Sequence, residues 1–300
     1  MSDAPGPAAT HDRIAALPVW SGRPVIEPLH GGLSNASFLV RDARDAFVVR
    51  LGRDFPFHHV ERAREAMVTR AAIDLGLAPE LVHVEPGIMV SRFIDGHTFG
   101  PEDVRARRAD VAALIRRFHT GMGERVSGAG FIFWVFHVIR DYARTLVAGN
   151  SRLAGRLPEF LTVAQEMEQA QVALPIVFGH HDLLPANFID DGNRLWLIDF
   201  EYAGFGTAMF DLAGVASNAG FSQMETEDLL SIYLDAPADA AFLHAHAAMQ
   251  VASLLRETLW SLVSELHLDA PGVDYVAYTA ETLAAFEAAL ASYRLRFGKG

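Results

Sequence analysis

Polar and apolar residues alternate along the first third of the chain at the spacing of β-strands. The runs are separated by turn-forming residues, Gly31-Gly32 after the first run and the segment 42–45 after the second. The three runs lie at 24–30, 36–42 and 46–52. This pattern predicts a three-stranded antiparallel meander at the start of the fold.

A helix and two further strands follow the meander. Between residues 59 and 76 the apolar positions recur every three or four residues, as on one face of a helix, and Gly76 stands where that helix would end. Two more strand-like runs, 80–85 and 88–94, flank the turn at Pro86-Gly87. We therefore expect a small antiparallel five-stranded sheet with one helix.

Helical periodicity dominates the rest of the chain. The helix-like segments are 101–121, 135–149, 155–171, 207–219, 223–235, 238–266 and 272–297. They are interrupted only at 175–204, where short strands are expected at 188–191 and 194–200.

The order of these elements predicts an α+β fold with two lobes. The smaller lobe would span 20–96, and the larger, mainly helical lobe would span 97–300. Residues 1–19 are polar and rich in Pro and Ala, so we expect a flexible tail and lead-in there. A cleft between two lobes is a common place for a ligand.

Composition excludes several classes of function. The net charge of −12 would repel the phosphates of a nucleic acid, whereas a cationic small molecule is compatible with it. The absence of cysteine rules out disulfides, thiolate zinc sites and a cysteine nucleophile. No apolar run reaches the 18 or so residues that a membrane span needs. We expect a cytoplasmic protein without a nucleic-acid or membrane partner; the sequence does not indicate an oligomeric state.

Polar residues are concentrated in the interruption at 175–204. Two adjacent histidines, His180 and His181, would point to opposite faces of a strand and so are poorly placed to share one metal ion. The segment "LLPANF" could also be a turn whose polar side chains bond their own backbone. A third interpretation rests on the spacing of Asp182, Asn187 and Asp199.

That spacing matches the arrangement used for phosphoryl transfer. His180, Asp182 and Asn187 fit H-x-D-x-x-x-x-N, and Asp199 follows Asp182 by seventeen residues, at the end of an apolar strand. In kinases the first aspartate accepts a hydroxyl proton, while the asparagine and the second aspartate hold Mg²⁺. The sequence therefore predicts a catalytic Asp182 and metal ligands Asn187 and Asp199.

Residues 180–222 resemble the choline/ethanolamine kinase branch of the aminoglycoside phosphotransferase superfamily. The sequence Asp199-Phe200-Glu201-Tyr202 and the segment "FDLA" at 210–213 are the most similar parts, and the resemblance extends over about 20–295. It implies a protein-kinase-like fold, with ATP and Mg²⁺ as cofactors. It also implies that His180 braces the catalytic loop and that Asp211 buttresses it.

The same resemblance assigns a nucleotide site to the N-terminal lobe. Arg50 on the third strand would contact phosphates and would be fixed by Glu65 in the following helix, with Glu61 as the alternative partner. Ser91 and Phe93 would meet adenine through their backbone groups. A loop between the first two strands would cover the phosphates with Gly31, Gly32, Ser34 and Asn35.

Carboxylates and aromatic faces suit an amine-bearing acceptor. Glu257 and Trp260 are neighbours on one helix face, and Glu201 and Tyr202 follow the metal aspartate. Trp134 is a weaker candidate for the acceptor site, and Trp196 is assigned to the core.

We expect a kinase that phosphorylates a small cationic alcohol, with choline or ethanolamine as the first choice. Thiamine, an aminoglycoside, and a sugar or amino-acid hydroxyl remain alternatives. An aminoglycoside would need many carboxylates, and Glu257, Glu265, Asp269 and Asp274 on the acceptor side keep it possible without favouring it. An inactive nucleotide-binding regulator is the alternative from a different class of function. The presence of Asp182, Asn187 and Asp199 together argues against it.

Overall fold

The computed structural model describes residues 7–29, 35–270 and 272–298. The expected antiparallel sheet is present, with strand order β1-β2-β3-β5-β4. Its strands are β1 (Val25–Leu29), β2 (Ala36–Arg41), β3 (Ala46–Leu51), β4 (Leu81–Glu85) and β5 (Ile88–Arg92). Helix α2 (Arg62–Asp74) follows β3, as its apolar spacing predicts.

The lead-in differs from the expected flexible tail. Helix α1 (Pro7–Ala15) precedes the sheet, and Ile14 and Leu17 are buried against Val40, Phe47 and Val90. Two apolar side chains that the sheet covers stabilise this segment by burial. The polar composition of its first residues hid this from the sequence analysis.

The larger lobe contains eight of the described helices. These are α3 (Pro101–Ala106), α4 (Arg108–Gly121), α5 (Val135–Ala148), α6 (Leu157–Gln169), α7 (Ala208–Asn218), α8 (Gln223–Leu234), α9 (Ala240–His267) and α10 (Tyr275–Phe297). The helix expected at 101–121 is two helices, because Arg107 leaves the helical conformation (φ −102°, ψ 22°). The side chain of Arg107 binds Asp190 at 2.7 Å.

Two small sheets lie among these helices. One pairs β6 (His97–Thr98), β8 (Phe188–Asp190) and β9 (Leu195–Leu197), and the other pairs β7 (Ile176–Gly179) with β10 (Gly204–Thr207). Of these strands, only β8 and β9 were expected from the sequence. The ring of Phe118 in α4 packs against Phe178 of β7 and against Phe200.

Two large hydrophobic clusters fill the C-terminal lobe, one around α5, α6, α9 and α10 and one around α4 and the small sheets. Within the described residues no helix is long and apolar enough to cross a membrane.

Candidate functional site

The predicted catalytic residues are held together by the backbone of one loop. The side-chain nitrogen of Asn187 donates to the carbonyl of Asp182 at 2.8 Å. The backbone N–H of Ile198 donates to the carbonyl of Asn187 at 3.1 Å, which places the following residue, Asp199, beside them. The structure therefore brings Asp182, Asn187 and Asp199 to one place, as their spacing suggested.

His180 supports this loop from inside the protein. Its buried ring donates from Nε2 to the carbonyl of Ile198 at 3.0 Å and accepts the N–H of Asp182 on Nδ1 at 3.3 Å. Burial lowers the pKa of His180, which keeps the ring neutral, and the carbonyl of Ile198, which can only accept, places the ring proton on Nε2. A ring with both nitrogens occupied acts as a brace, which agrees with the role implied for it.

Asp211 anchors the loop from the other side. Its carboxylate accepts the backbone N–H groups of His180 and His181, each at 2.7 Å, and Nε2–H of His119 at 2.8 Å. Burial alone would raise the pKa of Asp211, but the bond from His119 and the neighbouring histidines hold it below its ordinary value. This residue lies at the start of α7, so it ties that helix and α4 to the loop.

His181 is a buried core residue. It adopts a left-handed backbone conformation (φ 63°), and its ring stacks on Phe133 with 4.2 Å between ring centroids. Nδ1 donates to the carbonyl of Tyr202 at 3.2 Å, and burial lowers the pKa of His181 to about 4. Its Nε2 is buried without a hydrogen-bond partner, and among the described residues no group of three or more metal-binding side chains includes it.

Asp182 and Asp199 have opposite protonation behaviour. Burial raises the pKa of Asp182 well above its ordinary value; Arg256 opposes the rise, and Asp199 adds to it. Burial would also raise the pKa of Asp199, but the nearby Arg50 more than offsets this and holds it low. A carboxylate with a raised pKa suits proton transfer, whereas an ionised one suits a metal ion.

Arg50 lies between the two lobes and contacts an acid on each side. Its Nη1 pairs with Oδ1 of Asp199 at 2.6 Å, and its Nη2 pairs with Oε1 of Glu65. Glu65 has its side chain only 1% exposed, whereas Glu61 has its side chain 69% exposed and pairs with Arg64 at 3.9 Å. The structure thus pairs Arg50 with Glu65, the first choice, and not with the alternative.

A second arginine that the sequence analysis missed continues this network. Arg62 pairs through Nη1 with Glu65 at 2.6 Å and with Glu201 at 2.8 Å, and its Nη2 donates to Asn35 at 2.7 Å. A side chain at Gly52 would come within 2.7 Å of Asn35, so a glycine is needed for this close approach.

Glu201 therefore faces the N-terminal lobe. It was expected near the metal or the acceptor, but its carboxylate binds Arg62 and accepts from Asn35 at 3.2 Å, and its side chain is 5% exposed. Asn35, expected to donate to phosphate, has its side chain in the same network. The other predicted phosphate-loop residues, Gly31, Gly32 and Ser34, lie outside the described residues.

The predicted adenine contacts are restricted by the sheet. Ser91 lies in β5 between β3 and β4, opposite Val48 and Leu81. The backbone N–H of Phe93 already donates to the carbonyl of Ala46 at 2.9 Å. The expected adenine contact through the amide of Phe93 is thus not available in this structure.

The acceptor-side aromatic residues bind one another. Trp260 is 5% exposed and donates from Nε1 to the hydroxyl of Tyr202 at 2.8 Å, so it positions Tyr202 rather than facing a ligand. Tyr202 is equally buried, and Glu257 accepts the hydroxyl of Tyr278 at 2.7 Å. Of the predicted acceptor residues, Glu257 keeps the most exposed side chain, at 29%.

Two other tryptophans were singled out from the sequence. Trp134 lies apart from the catalytic loop, and Trp196 is less buried than the core position assigned to it. Trp134 donates to Glu168 at 2.8 Å on the α5–α6 side of the lobe. Trp196, assigned to the core, is half-buried; it donates to Asp191 at 2.8 Å, and Arg194 covers its ring at 3.6 Å. A strand of three residues at the edge of a small sheet leaves one face of Trp196 near solvent.

Arg256 is a further residue that the sequence analysis missed. It is 4% exposed on α9, where its neighbours on the same face are Ala252, Trp260 and Val263. A charged residue in register with apolar positions three and four residues away was the signal that could have found it.

The donor set at the loop fits Mg²⁺ brought by a nucleotide. The amide nitrogen of Asn187 is fixed on Asp182, so its side-chain oxygen is the end left to bind a metal beside the carboxylate of Asp199. Both are oxygen ligands, which Mg²⁺ prefers. In the part of the chain that the structure describes, no three or more His, Asp or Glu residues form a metal cluster, so the remaining ligands would have to come from phosphates and water.

Two sequence comparisons found relatives of this chain. The sequence model of the "Phosphotransferase enzyme family" matches residues 25–272. "Protein LicA" of Haemophilus influenzae is 22% identical over 243 residues, which cover 77% of this chain and 70% of that one.

Solved structures show the same fold. A choline/ethanolamine kinase family protein from Mesorhizobium loti is 30% identical, with a TM-score of 0.75 over 95% of this chain and 98% of that one. The choline kinase LicA from Streptococcus pneumoniae is 21% identical, with a TM-score of 0.75 over 93% and 98%. These likenesses confirm the two-lobed α+β fold.

Proposed function

Because the chain belongs to the phosphotransferase enzyme family and is a small-molecule kinase, we propose that it transfers the γ-phosphate of ATP to the hydroxyl of a small amine-bearing molecule. The observation that carries this proposal is the hydrogen-bonded loop that holds Asp182, Asn187 and Asp199 together. This arrangement supplies a proton acceptor and two metal ligands at one place in the fold.

Asp182 orients the acceptor hydroxyl and takes its proton. Its raised pKa, caused first by burial, makes it a stronger base than an exposed aspartate. His180 and Asp211 position the loop and do not exchange the proton themselves.

Arg50 contacts the phosphates of the nucleotide, and Glu65 fixes its guanidinium. Its position between Glu65 and Asp199 supports this role. Asn187 and Asp199 would hold Mg²⁺, which supplies positive charge to the transferring phosphate when it is bound.

Choline or ethanolamine is the acceptor that the solved relatives' names favour. Glu257 and Tyr278 supply an anionic and an aromatic contact for an amine on the acceptor side. Thiamine and aminoglycosides are the alternatives within the same reaction class.

The test is a measurement of ADP formation with Mg·ATP and a panel of choline, ethanolamine, thiamine and several aminoglycosides. We expect turnover with at least one amino alcohol, and a loss of turnover when Asp182 is replaced by Ala. Full turnover by Asp182→Ala would contradict the assignment of Asp182. Absence of ADP formation with every amine-bearing alcohol tested would count against the proposed reaction class.

A further inference from the structure

Helix α9 carries a buried cation on the acceptor side of the site. The side chain of Arg256 is only 5% exposed, and its Nη1 pairs with Oε2 of the adjacent Glu257 at 2.9 Å. Burial alone would lower the pKa of Arg256, but Tyr142, Glu257, Tyr202 and Asp182 raise it instead. The guanidinium therefore stays charged, and it interacts electrostatically with the predicted catalytic base.

This cation covers an aromatic face that a cationic substrate would use. The guanidinium carbon of Arg256 lies 4.6 Å from the ring centroid of Tyr202. The hydroxyl of the same ring is held by Trp260 at 2.8 Å, so the ring cannot turn away freely. A quaternary ammonium group would have to compete with Arg256 for that face.

One edge of the guanidinium has no hydrogen-bond partner among the described residues. The nitrogens concerned are Nε and Nη2 of Arg256, and both are buried. They lie on the same side of the planar group, whereas Nη1, which binds Glu257, is on the other end. Buried donors without a partner are costly, with a penalty of roughly 1–3 kcal/mol for each group.

The Nε–Nη2 edge has the geometry that binds a carboxylate with two parallel hydrogen bonds. Among the described residues, the acids that raise the pKa of Arg256 are Glu257, which bonds the other end, and Asp182, which the proposed reaction needs as its base. A carboxylate carried by the acceptor would supply the partner that this edge lacks.

We infer that the acceptor is an amino alcohol that also carries a carboxylate, that is, a hydroxy-amino acid, whose carboxylate binds the Nε–Nη2 edge of Arg256. Its amine lies at Glu257 and Tyr278, and its hydroxyl lies at Asp182. This inference rests on the proposed function. In the reaction, the hydroxyl oxygen forms a bond to the γ-phosphorus of ATP while the bond from that phosphorus to the β,γ-bridging oxygen breaks. ADP leaves, and the hydroxyl proton passes to Asp182.

Serine and ethanolamine form a matched pair for the test, because they differ only by the carboxylate. With the wild-type chain and Mg·ATP, phosphorylated product is measured by ³¹P NMR for both acceptors. We expect kcat/KM to be about 10- to 100-fold higher for serine, the range that a charge-assisted pair supports. The same comparison between a longer hydroxy-amino acid, homoserine, and 3-aminopropanol, which lacks its carboxylate, should give a preference of the same sign.

Two variants locate the preference at Arg256. Arg256→Gln should reduce the serine preference to less than about 3-fold, mainly through the KM for serine. Arg256→Lys keeps the charge but loses the two-pronged edge, and we expect an intermediate preference. Because a buried arginine can be needed for folding, the wild-type comparison decides the question without either variant.

The outcomes separate this inference from the proposed function. Turnover of ethanolamine or choline that equals or exceeds that of the carboxylated acceptors overturns the inference and leaves the kinase assignment intact. Absence of turnover with every acceptor, carboxylated or not, overturns both. A serine preference that survives in a folded Arg256→Gln would also overturn the role of Arg256.

Discussion

At the level of single residues, Asp182 and Asp199 are the same side chain in two electrostatic environments. Both are close to the same loop, but only Asp199 has a direct bond to a cation, Arg50 at 2.6 Å. Asp182 is buried and lies near other carboxylates, and both conditions disfavour its charged form. The proposed reaction therefore needs a carboxylate at position 182, whereas the ionised form of that carboxylate lowers the stability of the fold.

We expect Asp182→Asn to lose activity and gain stability. Loss of the proton acceptor should lower kcat by about 10²- to 10⁴-fold. The pKa of Asp182 is higher in the folded than in the unfolded chain, so its ionisation destabilises the fold as pH rises. Thermal unfolding should thus show a Tm a few degrees above the wild type at pH 7, with no difference below about pH 4. An unchanged kcat, or a Tm gain that persists at pH 3, would contradict this prediction.

A test of Asp199 requires a substitution that tolerates the backbone conformation at this position. Its φ of 66° lies in the left-handed region, which Asn tolerates better than Ala does. Asp199→Asn should therefore keep the fold while weakening the metal site. In a titration of ATP against increasing Mg²⁺, we expect the metal dependence of nucleotide binding to be lost or shifted at least about tenfold. A titration identical to that of the wild type would remove Asp199 from the metal site.

At the level of elements, α7 holds the catalytic loop through one buried carboxylate. Asp211 accepts three hydrogen bonds, two from the loop backbone and one from His119 of α4. An asparagine has one acceptor oxygen, and its NH₂ group would face a donor instead. The position of the loop thus depends on the charge of one buried residue of α7.

Replacing Asp211 with Asn should destabilise the protein by roughly 3 kcal/mol at pH 7, as measured by urea unfolding. The pKa of Asp211 is lower in the folded than in the unfolded chain, so its stabilising contribution is present at neutral pH and is lost as pH falls below about 4. The acid-induced loss of stability should therefore be smaller in the variant than in the wild type. Equal stability of the two proteins at pH 7 would refute the anchoring role. Asp228→Asn, at a half-exposed ion pair with Arg108, serves as the control, with an expected change below about 1 kcal/mol.

The sequence predicted well those elements that span many residues. The meander and the long helices span enough residues for their apolar pattern to show, whereas β6, β7 and β10 do not. The Asp182–Asn187 pair was predictable because its two members are only five positions apart in the sequence. Arg62 and Glu201 are 139 residues apart, so only the folded chain brings them together. Arg256 was missed because charged residues in helices usually face solvent.

At the level of the whole molecule, Arg62 joins the two lobes. It belongs to α2 beside the sheet, and Glu201 belongs to the segment after Asp199 in the helical lobe. Both side chains are largely buried, so loss of the arginine would leave Glu65 and Glu201 without one of their charge partners. The relative position of the lobes should depend on this residue more than on any exposed ion pair.

Arg62→Met is therefore expected to cost roughly 3–5 kcal/mol of folding free energy. Arg92→Met is the matched control, since Arg92 also contacts two acids, Asp45 and Glu80, but its side chain is 43% exposed. We expect the control to change stability by less than about 1 kcal/mol. Urea midpoints of the two variants give the comparison, and equal losses would show that the Arg62 network has no special weight.

The contacts of Arg50 have a consequence for charge balance. From Glu201 through Arg62, Glu65 and Arg50 to Asp199, acids and bases alternate, and the series begins and ends on an acid. Three acids and two bases leave one negative charge in excess. Each base is shared between two neighbours, so a cation arriving at Asp199 would release Arg50 toward Glu65 and thereby change what Arg62 must neutralise at Glu201. Occupancy at Asp199 is thus coupled, through three side chains of the N-terminal lobe, to Glu201 two residues further along the chain.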